Sequence, residues 1–386
     1  MARAEPGGVL LVDKPRGRSS HDVVAALRRA LGTRAVGHAG TLDPMATGLL
    51  VALVGEATRL SPFLSGARKR YRARVRLGVG TDSHDADGRE AARRPLAAPL
   101  REALARAPAA GPPEALVRAL EAERARREQV PPEVSALHVD GVRAYERARR
   151  GESLALAARP VDVGEVRLVG VDAADAEFPE IEVELEVSKG YYVRAFARDL
   201  GATLGAPAHL TALRRLASGG FSVDEALPLE PPSALAAALV PTARALRRAM
   251  APAELTDEGA RRARQGKALG PGHFRAPPPE GLSAWFLGDQ IVAVGETRGG
   301  EARVVRGFPA PGPDRPPGLA RRPHRAPSRA WCRRAALASS HFERADPAFG
   351  SPLSAGPLSP AAAPRPRRRF FGRAGGHRCG AQRAAL

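Results

Sequence analysis

The chain has 386 residues, a formal net charge of +19 and two cysteines, Cys332 and Cys379. That length holds two to three domains. Two late cysteines exclude a disulfide framework, no Cys-x-x-Cys pair suggests zinc, and no apolar run is long enough to span a bilayer. Val9 to Val12 is apolar but lacks leader architecture, so the cytoplasm is the expected location. The charge is unevenly placed. Residues 309–386 hold 15 Arg, no Lys and 3 acidic residues, a net of +12 that leaves +7 for the first 308. A moderately basic body fits RNA, whose phosphates reward Lys and Arg. Charge alone would fit an acidic protein or a membrane surface equally well.

In chain order, residues 8–13 read as a strand. Ser20 is placed to cap a helix with Val23, Val24, Leu27 and Leu31 on one face. The run Gly37-His38-Ala39-Gly40-Thr41-Leu42-Asp43-Pro44-Met45-Ala46-Thr47-Gly48 follows. Gly37 and Gly40 are expected to allow backbone geometry that a Cβ would block. Asp43 precedes a proline and is biased toward extended backbone, so a rigid loop presents a carboxylate. On spacing alone an Asp-Pro turn explains Asp43 more readily than a catalytic carboxylate does. Residues 48–54 read as a buried strand and 57–64 as a short helix.

Two later segments alternate with period two. Tyr71, Ala73, Val75 and Leu77 share a face opposite Arg70, Arg72, Arg74 and Arg76. Ile181, Val183, Leu185 and Val187 share a face opposite Glu180, Glu182, Glu184 and Glu186. Each reads as a half-buried strand with a charged outer face. Pairing of the two faces would be favourable, and two separately solvated faces fit the pattern as well. Between them, Asp82 to Gly88 superficially resembles a calcium loop. With Gly88 at the invariant sixth position, Arg94 would fall where the bidentate Glu belongs, which defeats the site. Gly78-Val79-Gly80 lacks the remainder of a dinucleotide fingerprint. The nine His show no metal-ligand spacing, so neither metal nor cofactor is expected.

Residues 95–113, rich in Ala and Pro, read as a surface excursion, and 114–128 as helix-prone. Val193, Ala197, Leu200 and Leu204 fit a helix leaving the glutamate-faced strand. Strands and helices mix without a regular βαβ repeat, which argues an α+β fold. Residues 224–250 read as a linker with helical content. The last 78 residues contain 13 Pro and show no periodicity. Such a segment cannot bury enough surface to offset its ordering entropy. It reads either as a disordered basic arm or as frame-shifted read-through. The absence of Lys and the Pro-Gly-Ala runs favour the second.

The twelve-residue run around Asp43 resembles the signature of the TruB family of tRNA pseudouridine synthases. Further stretches resemble the same family: Gly8 to Pro15 with Gly17 and Ser19-Ser20, Lys69-Arg70-Tyr71, Thr81-Asp82 with Asp85 to Gly88, Ser188 to Arg194, and Leu213-Arg214-Arg215-Leu216. The likeness runs from about residue 8 to 223 and, more weakly, to about 308. It implies a pseudouridine-synthase fold with a central mixed, mostly antiparallel sheet and an RNA cleft across it. The implied domains are a catalytic domain at 1–223 with an RNA-gripping insertion near 114–150, a linker at 224–253, a small β-rich, PUA-like RNA-binding domain at 254–308 and the tail at 309–386. Before Ser135-Ala136 the family's usual Tyr is replaced by Val134.

The implied activity is isomerisation of the uridine of the TΨC loop in tRNA: the glycosidic bond breaks, the base turns and a carbon–carbon bond forms. Asp43 would supply the carboxylate, and attack on the sugar, attack on the base and proton removal all fit. Arg194 would be its ion-pair partner. Tyr71 would stack on the uracil, Tyr192 would line the pocket and assist proton transfer, and Leu213 would complete the apolar wall. His38 would fill the space left by the flipped nucleotide. Lys14 and Lys69 would contact phosphate or loop. The expected partner is the T-arm stem-loop of tRNA, with no membrane and no obligate protein partner, the chain acting as a monomer. A non-catalytic tRNA folding chaperone, and an rRNA synthase of the same fold, are the competing readings.

Overall fold

The computed structural model describes residues 7–133, 138–139, 142–143, 156–230 and 232–308. The expected tail at 309–386, and most of 134–155 within the expected insertion, lie outside these residues.

Strand β1 (Gly7–Lys14), helix α1 (Ser20–Leu31), strand β2 (Val36–His38) and strand β3 (Thr47–Gly55) open the fold. The cap of α1 is Ser19 rather than Ser20. Its hydroxyl accepts from the Asp22 amide while the Asp22 carboxylate accepts from the Ser19 amide, a reciprocal capping box. Asp22 three residues on decides between the adjacent serines, and Ser20 is freed for another task. Strand β3 is buried on both faces, so its sequence is continuously apolar instead of alternating.

A 3-10 turn (Glu56–Leu60) and helix α2 (Ser61–Leu64) lead to β4 (Lys69–Leu77), then to the hairpin of β5 (Val79–Thr81) and β6 (Glu90–Arg93). The expected surface excursion at 95–113 is instead helix α3 (Ala98–Ala110), with Leu104 and Ala107 buried. Alanine favours helix, and Pro99 stands in the first turn, where its missing N–H is not needed. Helix α4 (Glu114–Arg124), β7 (Glu128–Gln129), β8 (His138–Val139), β9 (Val142–Arg143) and β10 (Arg159–Pro160) precede the long strands β11 (Val163–Asp172) and β12 (Glu180–Val187). Helix α5 (Val193–Thr203), β13 (Ala208–Ser218) and β14 (Phe221–Ser222) follow.

The main sheet runs β11-β12-β4-β13-β3-β1, with β2 added on β3 and β14 on β13. Strands β13 and β3 are parallel and the other pairs among these are antiparallel, so the sheet is mixed and mostly antiparallel. Strands β4 and β12 are neighbours, and their register sets Arg70, Arg72, Arg74 and Arg76 opposite Glu186, Glu184, Glu182 and Glu180. The two charged faces therefore form one ladder, while Tyr71, Val75, Ile181, Val183 and Leu185 point into a core with Phe196 and Leu200 of α5.

Residues 224–253 do more than link. Strand β15 (Leu227–Pro228) pairs parallel with β1, helix α6 (Pro232–Ala237) follows, and β16 (Val240–Pro241) pairs antiparallel with β1. Helix α7 (Thr242–Ala249) buries Ala245 and Leu246. Strand β17 (Pro252–Glu254), helix α8 (Asp257–Arg264) and strands β18 (Gly281–Leu287), β19 (Gln290–Arg298) and β20 (Glu301–Gly307) complete the described chain, with a four-stranded sheet in the order β17-β18-β19-β20. One face of that sheet shares a core with the main sheet: Ala284, Phe286, Val294 and Phe308 pack with Val9, Leu49, Leu53 and Leu246.

Candidate active site

Strand β13 organises the site. It pairs with β3 at Arg214–Thr47 and Arg215–Gly48, and with β4 at Leu213–Ala73 and Arg215–Tyr71. The loop Ala39–Ala46, which enters β3, is thereby set beside Tyr71 and Leu213. Helix α5 approaches with Arg194 in its first turn. These parts surround a cavity of about 270 Å³ whose lining includes Asp43, Lys69, Tyr71, Tyr192, Arg194 and Leu213, together with Lys189, Tyr191 and Arg215.

The loop is held chiefly through its backbone carbonyls, each of which from Gly40 to Pro44 has a partner. The Gly40 and Thr41 carbonyls accept from Arg215. Leu42 donates its amide to Ser20 Oγ at 2.8 Å and accepts from the same hydroxyl through its carbonyl at 3.2 Å. The Asp43 carbonyl accepts from the Ala46 amide, and the Pro44 carbonyl from the Gly17 amide and Lys14 Nζ. With every carbonyl from Gly40 to Pro44 engaged, the loop has little freedom to turn the carboxylate it carries. Gly40 has a φ of +114°, in the region that favours glycine. Gly48 has a φ of +96°, and a Cβ there would stand 2.4 Å from the Arg215 carbonyl oxygen. Gly37 departs from expectation: it is an ordinary β2 residue with no positive φ, and a Cβ would meet only Thr58 at 4.0 Å.

Asp43 keeps about a third of its side chain exposed (35 %), while Arg194 is buried. Arg194 Nε stands 2.9 Å from Asp43 Oδ2 and 3.6 Å from Asp85 Oδ2, and Nη2 donates to Asp43 Oδ1 at 3.4 Å. Its Nη1 donates to the Ser83 carbonyl at 3.1 Å. One guanidinium is thus flanked by two carboxylates, one open to the cavity and one buried. Asp85 is fixed in turn, accepting at Oδ1 from Ser83 Oγ at 2.6 Å and from the Asp87 amide at 3.1 Å. The loop that imitates a calcium site therefore cradles an arginine.

Tyr192 is the N-cap of α5, and the buried side chain of Gln129 grips its backbone from both sides. Gln129 Nε2 donates to the Tyr192 carbonyl at 3.2 Å, and the Tyr192 amide donates to Gln129 Oε1 at 2.8 Å. Lys69 lines the cavity, its Nζ donating to the Ser65 carbonyl at 2.9 Å and to the Ala67 carbonyl at 2.5 Å. Burial, with Arg215 and Lys189 nearby, lowers its pKa to about 8.

Two expected residues stand outside the cavity lining. Lys14 is 0 % exposed, and its Nζ donates to the carbonyls of Pro15, Arg18 and Pro44. Of the two contacts expected for it, loop and phosphate, the structure shows the loop, because no face of the amine reaches solvent. Burial lowers its pKa to about 8, with Asp43 acting in the opposite sense. His38 lies in β2 with its ring edge-on to His21 at 5.9 Å. Burial, then His21 and Arg215, hold its pKa below the ordinary histidine range.

Asp85, Gln129 and Arg215 received no role from sequence, and Ser20 was given that of a helix cap instead of its hold on Leu42. Asp85 and Arg215 do lie inside the quoted stretches. Their place in those stretches was the available signal for these two; the partners that define each role are distant in sequence.

Residues 28–193 match the TruB family pseudouridylate synthase (N terminal domain). The tRNA pseudouridine synthase B of Leifsonia xyli subsp. xyli (strain CTCB07) is 42 % identical over 306 residues, covering 78 % of this chain and 97 % of that protein. The tRNA pseudouridine synthase B of Thermobifida fusca (strain YX) is 44 % identical over 304 residues, covering 77 % and 97 %. Among solved structures, the archaeal box H/ACA sRNP Nop10-Cbf5 complex contains a chain with a TM-score of 0.54 at 21 % identity, covering 79 % of this chain and 86 % of that one. An H/ACA RNP bound to a substrate RNA containing 2'-deoxyuridine gives 0.53 at 22 % identity, covering 78 % and 84 %. At those identities the structures establish the fold.

Proposed function

This chain belongs to the TruB family of pseudouridylate synthases, and from that premise we propose that it isomerises the uridine of the TΨC loop of tRNA. The observation that carries the proposal is the Asp43–Arg194 pair at a cavity walled by Tyr71, Tyr192 and Leu213. The names of the relatives support tRNA as the substrate.

The reaction exchanges a carbon–nitrogen bond for a carbon–carbon bond without redox change, so a carboxylate and a closed pocket suffice. A uridine inside folded RNA must first leave its stack. Tyr71 and Leu213 then offer flat and aliphatic surfaces to the uracil, and retain it after it detaches. Asp43 faces the reacting nucleotide from a loop that does not yield. Arg194 compensates its charge and, itself held by Asp85 and the Ser83 carbonyl, fixes its direction. Such preorganisation removes the need to reorient groups during reaction. We assign His38, beside the loop, to the space from which the base has swung. Lys69 and Lys189 set positive charge at the cavity, on the side where an RNA backbone would run. We assign residues 254–308 to RNA binding as a PUA-like domain, which the separate four-stranded sheet supports.

The test is pseudouridine formation in an unmodified tRNA T-arm hairpin. Wild-type protein is expected to convert it. Asp43→Asn, which keeps the shape and loses the charge, is expected to bind the hairpin with unchanged affinity and to form no pseudouridine. Near wild-type turnover by that variant would remove Asp43 from the chemistry. Conversion of rRNA fragments but not the hairpin would move the substrate.

A further inference from the structure

Arg215 is among the largest fully buried side chains in the protein, at 0 % exposure, and it forms no ion pair among the described residues. A buried charge without a counter-ion costs several kcal/mol unless hydrogen bonds replace the lost water. Here three backbone carbonyls do so. Nε donates to Leu49 at 2.7 Å, Nη1 to Thr41 at 3.3 Å and Nη2 to Gly40 at 3.1 Å. Two acceptors precede Asp43 in the chain and the third follows it, so one rigid fork ties the two ends of the loop together. The backbone of Arg215 is locked to the same place, since it pairs with Gly48 so closely that only glycine fits there.

We propose that Arg215 is a positioning residue for the isomerisation: it holds the loop that carries Asp43 at the separation from Arg194 at which the carboxylate acts. The inference rests on Asp43 being the reacting carboxylate. A planar guanidinium presents its donors in a fixed fork, which an ammonium on a flexible stem cannot imitate across three acceptors. Lysine at this position keeps the charge and lets the loop move. Displacement of a reacting group by about 1 Å can cost about 100-fold in rate.

The experiment compares full-length wild type, Arg215→Lys and Arg215→Gln on the unmodified T-arm hairpin, by single turnover with enzyme in excess, with hairpin affinity measured separately. Hydrogen exchange is followed over residues 40–46 and 69–77. Both variants are expected to lose about 10- to 100-fold in the rate of isomerisation. Hairpin Kd should stay within about threefold, and exchange should quicken over 40–46 alone. A rate for Arg215→Lys within about threefold of wild type overturns the proposal. So does a lost rate with unchanged exchange, which would mean that Arg215 acts on the substrate directly, and so does a loss of affinity in proportion to rate. Should neither variant fold, wild type decides. The proposal requires the hydrogen-bonded amides of Leu42 and Ala46 to exchange as slowly as those of β3, and unprotected exchange at both refutes it. Asp43→Asn run in parallel separates the two readings. An active Asp43→Asn sinks the assignment of Asp43, whereas an inactive Asp43→Asn beside an active Arg215→Lys sinks only the role of Arg215.

Discussion

Arg194 meets two carboxylates and a carbonyl with one planar group, and that plurality decides what a substitution does. Arg194→Lys retains the charge yet can satisfy one of these partners well and not all of them. Turnover is expected to fall by at least about tenfold, with the melting temperature lowered only modestly. Steady-state kinetics beside a thermal melt check this, and unchanged turnover would mean that Asp43 takes its direction from elsewhere. Lys14 gives a pH test of the same loop. Its folded pKa of about 8 lies below the ordinary 10.5, so between those values the unfolded chain holds more protons than the folded one. Stability then rises with pH across that window. The stability difference between wild type and Lys14→Met is expected to shift in favour of wild type from pH 7.5 to 10. A difference that stays flat would show that the amine is not held as the structure has it. Asp43, Arg194, Tyr71 and Leu213 were legible because they lie in contiguous motifs. The cradle at Asp85 and the clamp at Arg215 were not, because partners distant in sequence define them, whereas the cap at Ser19 is defined by nearby Asp22 and was open to reading.

The outer face of β4 and β12 shows what an element reveals and conceals. Period-two alternation told which residues face inward, and charge told that the outer faces could pair. Adjacency itself is a long-range fact, fixed only when β12 docks on β4. Once docked, Glu184 accepts from Arg72 Nη2 at 2.7 Å and from Arg167 Nη2 at 2.7 Å. The hydrogen bond from Arg72, then that from Arg167, holds its carboxyl below the ordinary glutamate range. A depressed carboxylate stabilises the fold above its ordinary pKa and loses that contribution as pH falls through the folded value. A double-mutant cycle on Arg72 and Glu184 is expected to give a coupling of about 0.5–1 kcal/mol at pH 7. The coupling should weaken as pH falls through the folded value, and a coupling independent of pH would mean that packing rather than charge joins the pair. The helix at 98–110 escaped sequence reading for a different reason. Its prolines signal a break only in mid-helix, and both fall within its end turns.

At the scale of the whole molecule, two sheets share one core, and that sharing blurred the expected boundaries. A segment read as a linker contributes β15 and β16 to the edge of the main sheet, and α7 between the sheets, because its apolar residues are few and spaced among Ala and Arg. Phe308 is buried in the shared core, at the last described position. Deleting residues 309–386 is therefore expected to leave the melting temperature within a few degrees and pseudouridine formation intact. A large drop would place part of the core beyond Phe308. The deleted residues carry a net charge of +12, from 15 Arg and 3 acidic residues. Each phosphate that a cation neutralises releases counter-ions, so the logarithm of the binding constant falls with the logarithm of salt in proportion to the contacts made. Titrating the hairpin at several salt concentrations separates two cases that activity cannot. If the basic segment touches RNA, the full-length protein shows a steeper slope than the truncated one, by about one for each phosphate contacted. If the slopes coincide, RNA affinity resides in residues 7–308, where Lys69 and Lys189 at the cavity are the first cations to remove.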